Sequence, residues 1–179
     1  MDELIDIFDE NQKFIKKEMK SEAHRLGHWH KSIHAYLIND KNQILIQKRS
    51  ADKDLYPNVW DVSFAGHVGA GENTKISVIR ECKEELGIDL KDSEIEYIFT
   101  NPEKLQWGNI LSNEFVDVFI CRKNFTKILK QDEEVADVKV MPLKDYITMI
   151  KEKDKTLFPH FDEYNKILPM LESFIIDKN

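Results

Sequence analysis

The stretch from Gly66 to Ile88, Gly-His-Val-Gly-Ala-Gly-Glu-Asn-Thr-Lys-Ile-Ser-Val-Ile-Arg-Glu-Cys-Lys-Glu-Glu-Leu-Gly-Ile, constrains the fold more than any other part of the chain. It reads as a glycine-rich loop, then a helix, then a glycine stop. Asn73 suits the helix N-cap, because its side-chain oxygen can accept from backbone N–H groups that lack a helical partner. Gly87 suits the left-handed residue just beyond the helix, and Ile88 the apolar contact that follows. Ile76, Ile79 and Leu86, with Cys82, recur at helical spacing and predict a buried stripe. Glu81, Glu84 and Glu85 fall on the opposite side.

Residues three and four apart share a helical face, so these carboxylates repel one another by about a few tenths of a kcal/mol per pair. An acidic run is ordinarily a solvated face, and alone it predicts nothing more. A hard divalent cation reverses the repulsion. Mg²⁺ takes oxygen ligands, keeps several waters, and is usually shared between one or two carboxylates and a substrate phosphate.

The surroundings favour the metal. The stretch resembles the signature of the Nudix hydrolases: Gly, five residues, Glu, seven residues, Arg-Glu, an aliphatic or similar residue, any residue, Glu-Glu, any residue, Gly and an aliphatic. Gly66, Glu72, Arg80, Glu81, Cys82, Glu84, Glu85, Gly87 and Ile88 carry it, and every fixed position matches. The resemblance implies an α/β fold, an α/β/α sandwich with a mixed β-sheet between helices, covering roughly Trp29 to Met141. It implies a hydrolase that cleaves a diphosphate linkage, in a nucleoside diphosphate derivative or similar small molecule, by water attack on phosphorus. The cofactor it implies is Mg²⁺, with Mn²⁺ as the alternative, held by Glu81, Glu84, Glu85 and the carbonyl of Gly66. Metal ions polarise phosphoryl oxygens, orient the substrate and lower the pKa of bound water. Glu72 and Arg80 read as a structural pair that pins the loop to the helix. The motif does not fix the general base. Glu84 comes first, followed by Glu114, Glu133 and Glu134, so the catalytic set is Glu84, Glu81, Arg80 and Glu114.

A narrower resemblance rests on His30, Lys48-Arg49-Ser50, Pro57-Asn58-Val59-Trp60 and Gly66-His67. This layout is similar to the Nudix branch related to type I isopentenyl-diphosphate isomerase. It implies a second metal site of histidines and glutamates, for which His30, His67 and Glu114 match; His24 is the nearest further histidine, one residue out of register. The isomerase's proton-carrying cysteine is replaced by Ala65, and a methyl group cannot shuttle protons. The chain therefore reads as an isomerase-like hydrolase, with an isomerase and a non-catalytic ligand-binding Nudix module as the alternatives.

His24, His28, His30, His34 and His67 are five of the six histidines. His28, His30 and His34 would share one face of a strand, whose side-chain period is two. Zinc or manganese suits such a set, and hydrogen-bonded surface histidines are the plain alternative. Lys48, Arg49 and Lys53 supply the cationic groups a diphosphate needs. Tyr56, Phe64 and Trp107 offer rings to stack on a base, or pack as ordinary core and loop residues.

The chain has 179 residues, enough for one domain with a real core. Its formal net charge of −7 argues against a nonspecific grip on nucleic acid. No stretch is apolar for long enough to span a membrane, and the N-terminus lacks a signal pattern. Cys82 and Cys121 make no disulfide framework, so a cytoplasmic setting is expected. A homodimer is compatible with the sequence.

The chain then reads as one domain over residues 1–179: an N-terminal hairpin and short helix (1–28), the Nudix core (29–141) and C-terminal helices (142–179). Strands are expected at 4–8, 14–19, 29–38, 44–48, 60–64, 95–100, 110–122 and 135–141. Ser21 is the expected cap of a helix ending at Gly27, and 101–107 an expected loop. Helices follow at 143–151 and 161–176, the second kinked or broken at Pro169.

Overall fold

Strand β3 (Trp29–Ile38) is the centre of the sheet, because alternate side chains serve two different layers. Ile33, Ala35 and Leu37 face one helix, while Tyr36 and Ile38 face two others. The computed structural model describes residues 2–53 and 55–176; Met1, Asp54 and residues 177–179 of the expected C-terminal segment lie outside them.

β1 (Leu4–Phe8) and β2 (Phe14–Met19) form an antiparallel hairpin that joins β3 at Ile7–His30 and Phe8–Trp29. α1 (Lys20–Leu26) ends at Gly27, whose φ of 68° is left-handed. Ser21 is not its cap. Met19 holds the N-cap position, and the capping oxygen comes from Asp2, which accepts from the Ser21 N–H at 3.1 Å and from Ser21 Oγ at 2.6 Å.

β3 runs parallel to β8 (Ile110–Arg122) along its whole length. On its other side, β4 (Gln43–Arg49) pairs with it only at Leu37 and Ile38. β6 (Phe64–His67) then takes over from Ser32 to Ala35. β4 continues against β5 (Trp60–Asp61) and β9 (Val135–Pro142), and β7 (Ile95–Trp107) pairs with β8. The change of partner along β3 leaves polar side chains of β3, β5 and β6 on a common cavity.

Helix α2 (Thr74–Leu86) covers one face, packing Val78, Cys82 and Leu86 on Ile33, Leu37, Phe64 and Phe119. α3 (Leu143–Lys151) and α4 (Phe161–Ile176) cover the other, packing Tyr146, Ile147, Ile167 and Leu171 on Tyr36, Val116 and Val118. Each such fully buried side chain contributes roughly 1.5–3 kcal/mol. The result is the expected α/β/α sandwich around a mixed sheet. Among the described residues no helix is long and apolar enough to cross a membrane.

Three further expectations are corrected. The buried stripe of α2 is Ser77, Val78, Cys82, Glu85 and Leu86, whereas Ile76 is 57% exposed. At roughly 100° per residue, this arc turns the helix so that Glu85 faces inward with the apolar side chains, while Glu84 stays exposed. The expected loop at 101–107 is strand, because β7 extends to Trp107 and turns back to Ile110 through Gly108 and Asn109. Pro102 is tolerated there because β7 pairs on one side only, leaving an edge where no N–H is needed. α4 runs through Pro169 without a break.

Candidate functional site

The local rules that shape the motif loop also place its charges. Asn73 Oδ1 accepts from the Lys75 N–H at 2.8 Å and starts α2. Gly87, with φ 68°, ends it; its N–H bonds Lys83 O and that of Ile88 bonds Cys82 O. Ile88 is buried, as its place after the glycine stop demands.

Arg80 sits at the junction of loop and helix. It donates to both Glu72 oxygens at 3.2 and 3.0 Å, to His67 O at 3.0 Å, to Glu81 at 2.7 Å and to Glu84 at 3.1 Å. Glu72 also accepts from the Gly69 N–H and Ser77 Oγ. Gly66 is the close approach: a Cβ there would lie 2.7 Å from Glu81 Cγ and nearer still to its carboxyl. Glu85 is buried and accepts from the Ala65 N–H at 3.3 Å. Burial pushes the Glu81 carboxyl up to about 7, despite Arg80, and that of Glu85 up to about 8. Buried carboxylates of this kind need protons or a cation to be at ease, which is the donor chemistry a hard divalent ion matches. Glu81, Glu84, Glu85 and Gly66 all line one cavity of about 570 Å³.

A second set reaches the same cavity through His24, His67 and Glu114, with His30 buried beside them. His24, His30, His67 and Glu114 bring donor atoms within 4.8 Å of one another. The Nε2 atoms of His30 and His67 are buried without a hydrogen-bond partner. Such orphaned imidazole nitrogens fit a bound transition metal. Burial pushes His67 well below the ordinary histidine range. Glu114 accepts from Ser112 Oγ at 2.5 Å and lies 3.9 Å from His30 Nε2. The expected shared histidine face holds for His30 and His34 on β3 but not for His28. His28 precedes the strand and binds Glu18 at 2.6 Å, and His34 belongs to a different cluster.

The basic residues divide. Arg49 and Lys53 line the cavity and Lys48 does not. Neighbours on a strand point to opposite faces, so Lys48 and Arg49 cannot serve one site. Arg49 donates to Leu55 O at 2.8 Å and Asp61 at 3.2 Å, and Lys53 pairs with Glu134. Glu134 lines the cavity and Glu133 does not. Phe64 is core. Tyr56 packs on Trp107 and Phe158, with centroids 4.7 and 4.6 Å apart.

The remaining wall holds Asp61, Glu103 and His160, with Glu163 and Tyr36 behind it, none of which sequence reasoning picks out. The 156–158 segment is responsible for His160: Trp60 N bonds Thr156 O and Phe158 N bonds Trp60 O, which brings His160 beside Asp61. No local pattern marks these partners, since the pairs are 57, 99 and 129 residues apart in sequence.

A family model of the NUDIX domain matches residues 28–161. An uncharacterized Nudix hydrolase of Clostridium acetobutylicum is 38% identical over 146 residues, 78% of this chain and 70% of that protein. Nudix hydrolase 3 of Arabidopsis thaliana is 34% identical over 164 residues, 85% of this chain but only 21% of the longer plant protein. An isopentenyl-diphosphate Δ-isomerase of Salmonella heidelberg is 33% identical over 138 residues, covering 76% and 75% of the two chains. Among solved structures, DR0079 of Deinococcus radiodurans matches with a TM-score of 0.63 at 22% identity over 84% of this chain and 90% of that one. The NUDIX domain of Shewanella oneidensis NrtR, crystallised with ADP ribose, matches at 0.59 and 19% identity over 79% and 87%. Since the domain match spans most of the chain and these relatives exceed 30% identity, the protein belongs to the Nudix hydrolase family, close to its isopentenyl-diphosphate isomerase branch.

Proposed function

We propose that this protein is a Mg²⁺-dependent pyrophosphohydrolase that cleaves a small-molecule diphosphate by water attack on phosphorus. The observation that carries the reading is the convergence of Glu81, Glu84 and Glu85 with Arg49 and Lys53 on a single cavity of about 570 Å³. That volume is in the range of small-molecule sites, and its mixed charges suit an anion shared with a cation. Bound at the glutamates and the Gly66 carbonyl, Mg²⁺ or Mn²⁺ would neutralise the diphosphate and acidify a water.

The chain's own groups have distinct tasks. Arg80 ties Glu72, the His67 carbonyl and Glu81 together, and so positions the acidic residues. Arg49 and Lys53 hold the diphosphate from the opposite side. Glu84, at 52% side-chain exposure, is free enough to take a proton from water and is the base we assign. Glu114 accepts from Ser112 Oγ and lies among the histidines, so it is placed as a ligand; with His30, His67 and His24 it would hold a second, transition-metal ion. Ala65 lines the cavity where the isomerase reading needs a proton carrier, which disfavours that alternative. The NrtR domain's ADP ribose and the relatives named as hydrolases support a diphosphate ligand. The two buried free thiols suit the cytoplasm.

The test is product release from nucleoside diphosphates, nucleotide sugars, dinucleotides, coenzyme A and prenyl diphosphates with Mg²⁺, run beside Glu85→Gln. Turnover that the variant loses supports the proposal. Conversion of isopentenyl diphosphate to its isomer, or tight binding with no turnover, would replace it with the isomerase or the binding module.

A further inference from the structure

Next to the histidine–Glu114 cluster, four residues along β3 and so about 13 Å away, the cavity carries a second group of buried ionisable side chains. His34 Nδ1 donates to Glu163 Oε2 at 2.7 Å, and the Tyr36 hydroxyl donates to Glu163 Oε1 at 2.6 Å. His160 donates from Nδ1 to Glu103 at 2.9 Å and from Nε2 to Asp61 at 3.1 Å. Asp61 in turn accepts from Arg49 at 3.2 Å and from the Val62 N–H at 2.8 Å. The His34 and His160 rings lie 4.4 Å apart and join the two halves.

His34, His160 and Glu163 have the spacing of a metal set. Their bonds argue otherwise. Both Glu163 oxygens and both His160 nitrogens are already committed. The carboxylates drive both histidines toward the charged form: burial opposes it, but Glu163 raises His34, and Glu103 and Asp61 raise His160 well above the ordinary range. Arg49, His34 and His160 then balance Asp61, Glu103 and Glu163. A cation would have to break several charge-assisted bonds and expel two protons, and an anion placed between His34 and Glu103 would meet the Glu103 carboxylate.

What the network leaves to the cavity is one donor and one acceptor. His34 Nε2 is not used by Glu163, and Glu103 keeps lone pairs beyond those that face His160; both residues line the cavity. A neutral group that both accepts and donates answers this pair, which is the description of an alcohol. We infer that His34 and Glu103 form a hydroxyl-binding subsite for the group that the substrate carries beyond its diphosphate, and that Glu163, Asp61 and His160 position them. This inference rests on the diphosphate reading above. It predicts discrimination against apolar groups, because an analogue without the hydroxyl would displace water from His34 Nε2 and Glu103 without replacing its hydrogen bonds.

Matched pairs test it: butyl and hexyl diphosphate against the same chains with a terminal vicinal diol, each assayed for kcat/KM with Mg²⁺. The diol is expected to raise kcat/KM at least tenfold, mainly through KM. His34→Leu and Glu103→Leu, each checked by thermal melting, should bring that ratio within about threefold of one. Using a ratio removes any general loss of activity from the comparison. A wild-type ratio near one overturns the subsite, as does a ratio that either folded variant leaves unchanged. Should both variants fail to fold, the wild-type ratio decides alone. If none of these compounds is hydrolysed, calorimetric binding of the same pairs to the wild-type protein with Mg²⁺ decides the subsite: tenfold tighter diol binding supports it and equal affinity overturns it, while the proposed function itself fails only if the wider diphosphate panel is not hydrolysed either.

Discussion

Gly66→Ala is the sharpest perturbation the site offers. Gly66 is not among the glycines with positive φ, so alanine costs nothing in backbone strain. The new methyl would sit 2.7 Å from Glu81 Cγ and closer to its carboxyl, against an ordinary contact of 3.4 Å or more. Glu81 must therefore move by about 1 Å. Mg²⁺ binds oxygen at about 2.0–2.1 Å in near-ideal octahedral geometry, so such a shift removes the ligand. Overpacking of this kind typically costs about 1–3 kcal/mol, and Glu81 is a side chain that can swing, which favours the lower end. The variant should stay folded, with a modest fall in melting temperature, and lose Mg²⁺ affinity by at least about tenfold, or roughly 1.4 kcal/mol. Calorimetric titration of Mg²⁺ with a parallel melt measures both. Unchanged affinity in a folded variant would refute the placement of Glu81 and Gly66 at the metal.

Other expectations follow from the same charges. Arg80→Ala leaves Glu72 and Glu81 without their main partner and should cost about 2 kcal/mol in denaturant unfolding while weakening Mg²⁺; full metal affinity in this variant would remove the positioning role. Glu81 and Glu85 have raised carboxyl pKa values, so between their ordinary value of 4.5 and about 7–8 the folded state binds more protons than the unfolded one. Stability in EDTA should fall across that window as pH rises, by a few kcal/mol at most, since each tenfold difference in proton affinity between the two states is worth roughly 1.4 kcal/mol. Mg²⁺ should offset the loss and Glu85→Gln should flatten it; a stability in EDTA that rises with pH through the window would contradict the assignment.

Much of this is legible in the sequence for a local reason. Asn73, Gly87 and the Glu-x-x-Glu-Glu spacing act within one loop and helix, so the cap, the stop and the acidic set appear where the residues put them. The strands at 29–38 and 110–122 show themselves through β-branched and aromatic runs. What sequence cannot show is how an element is rotated or extended by its neighbours. Ile76 looks like core because it is apolar, but α2 is oriented by the inward pull of Val78, Cys82 and Leu86, which carries Glu85 inside with them. Residues 101–107 look like a loop because of Asn101 and Pro102, yet their strand is stabilised by β8, and only that pairing brings Glu103 to the cavity. His160 and Glu163 sit in no motif. Their role comes from contacts with β3, β5 and β7, far away in the chain.

The most direct test of water attack on phosphorus is hydrolysis of a turned-over diphosphate in ¹⁸O-labelled water with Mg²⁺, followed by mass spectrometry of both products. The proposed function predicts one ¹⁸O atom in a single phosphoryl product per turnover, with none in the other product. Labelling at carbon, or consumption of the substrate with no label in either product, would contradict it.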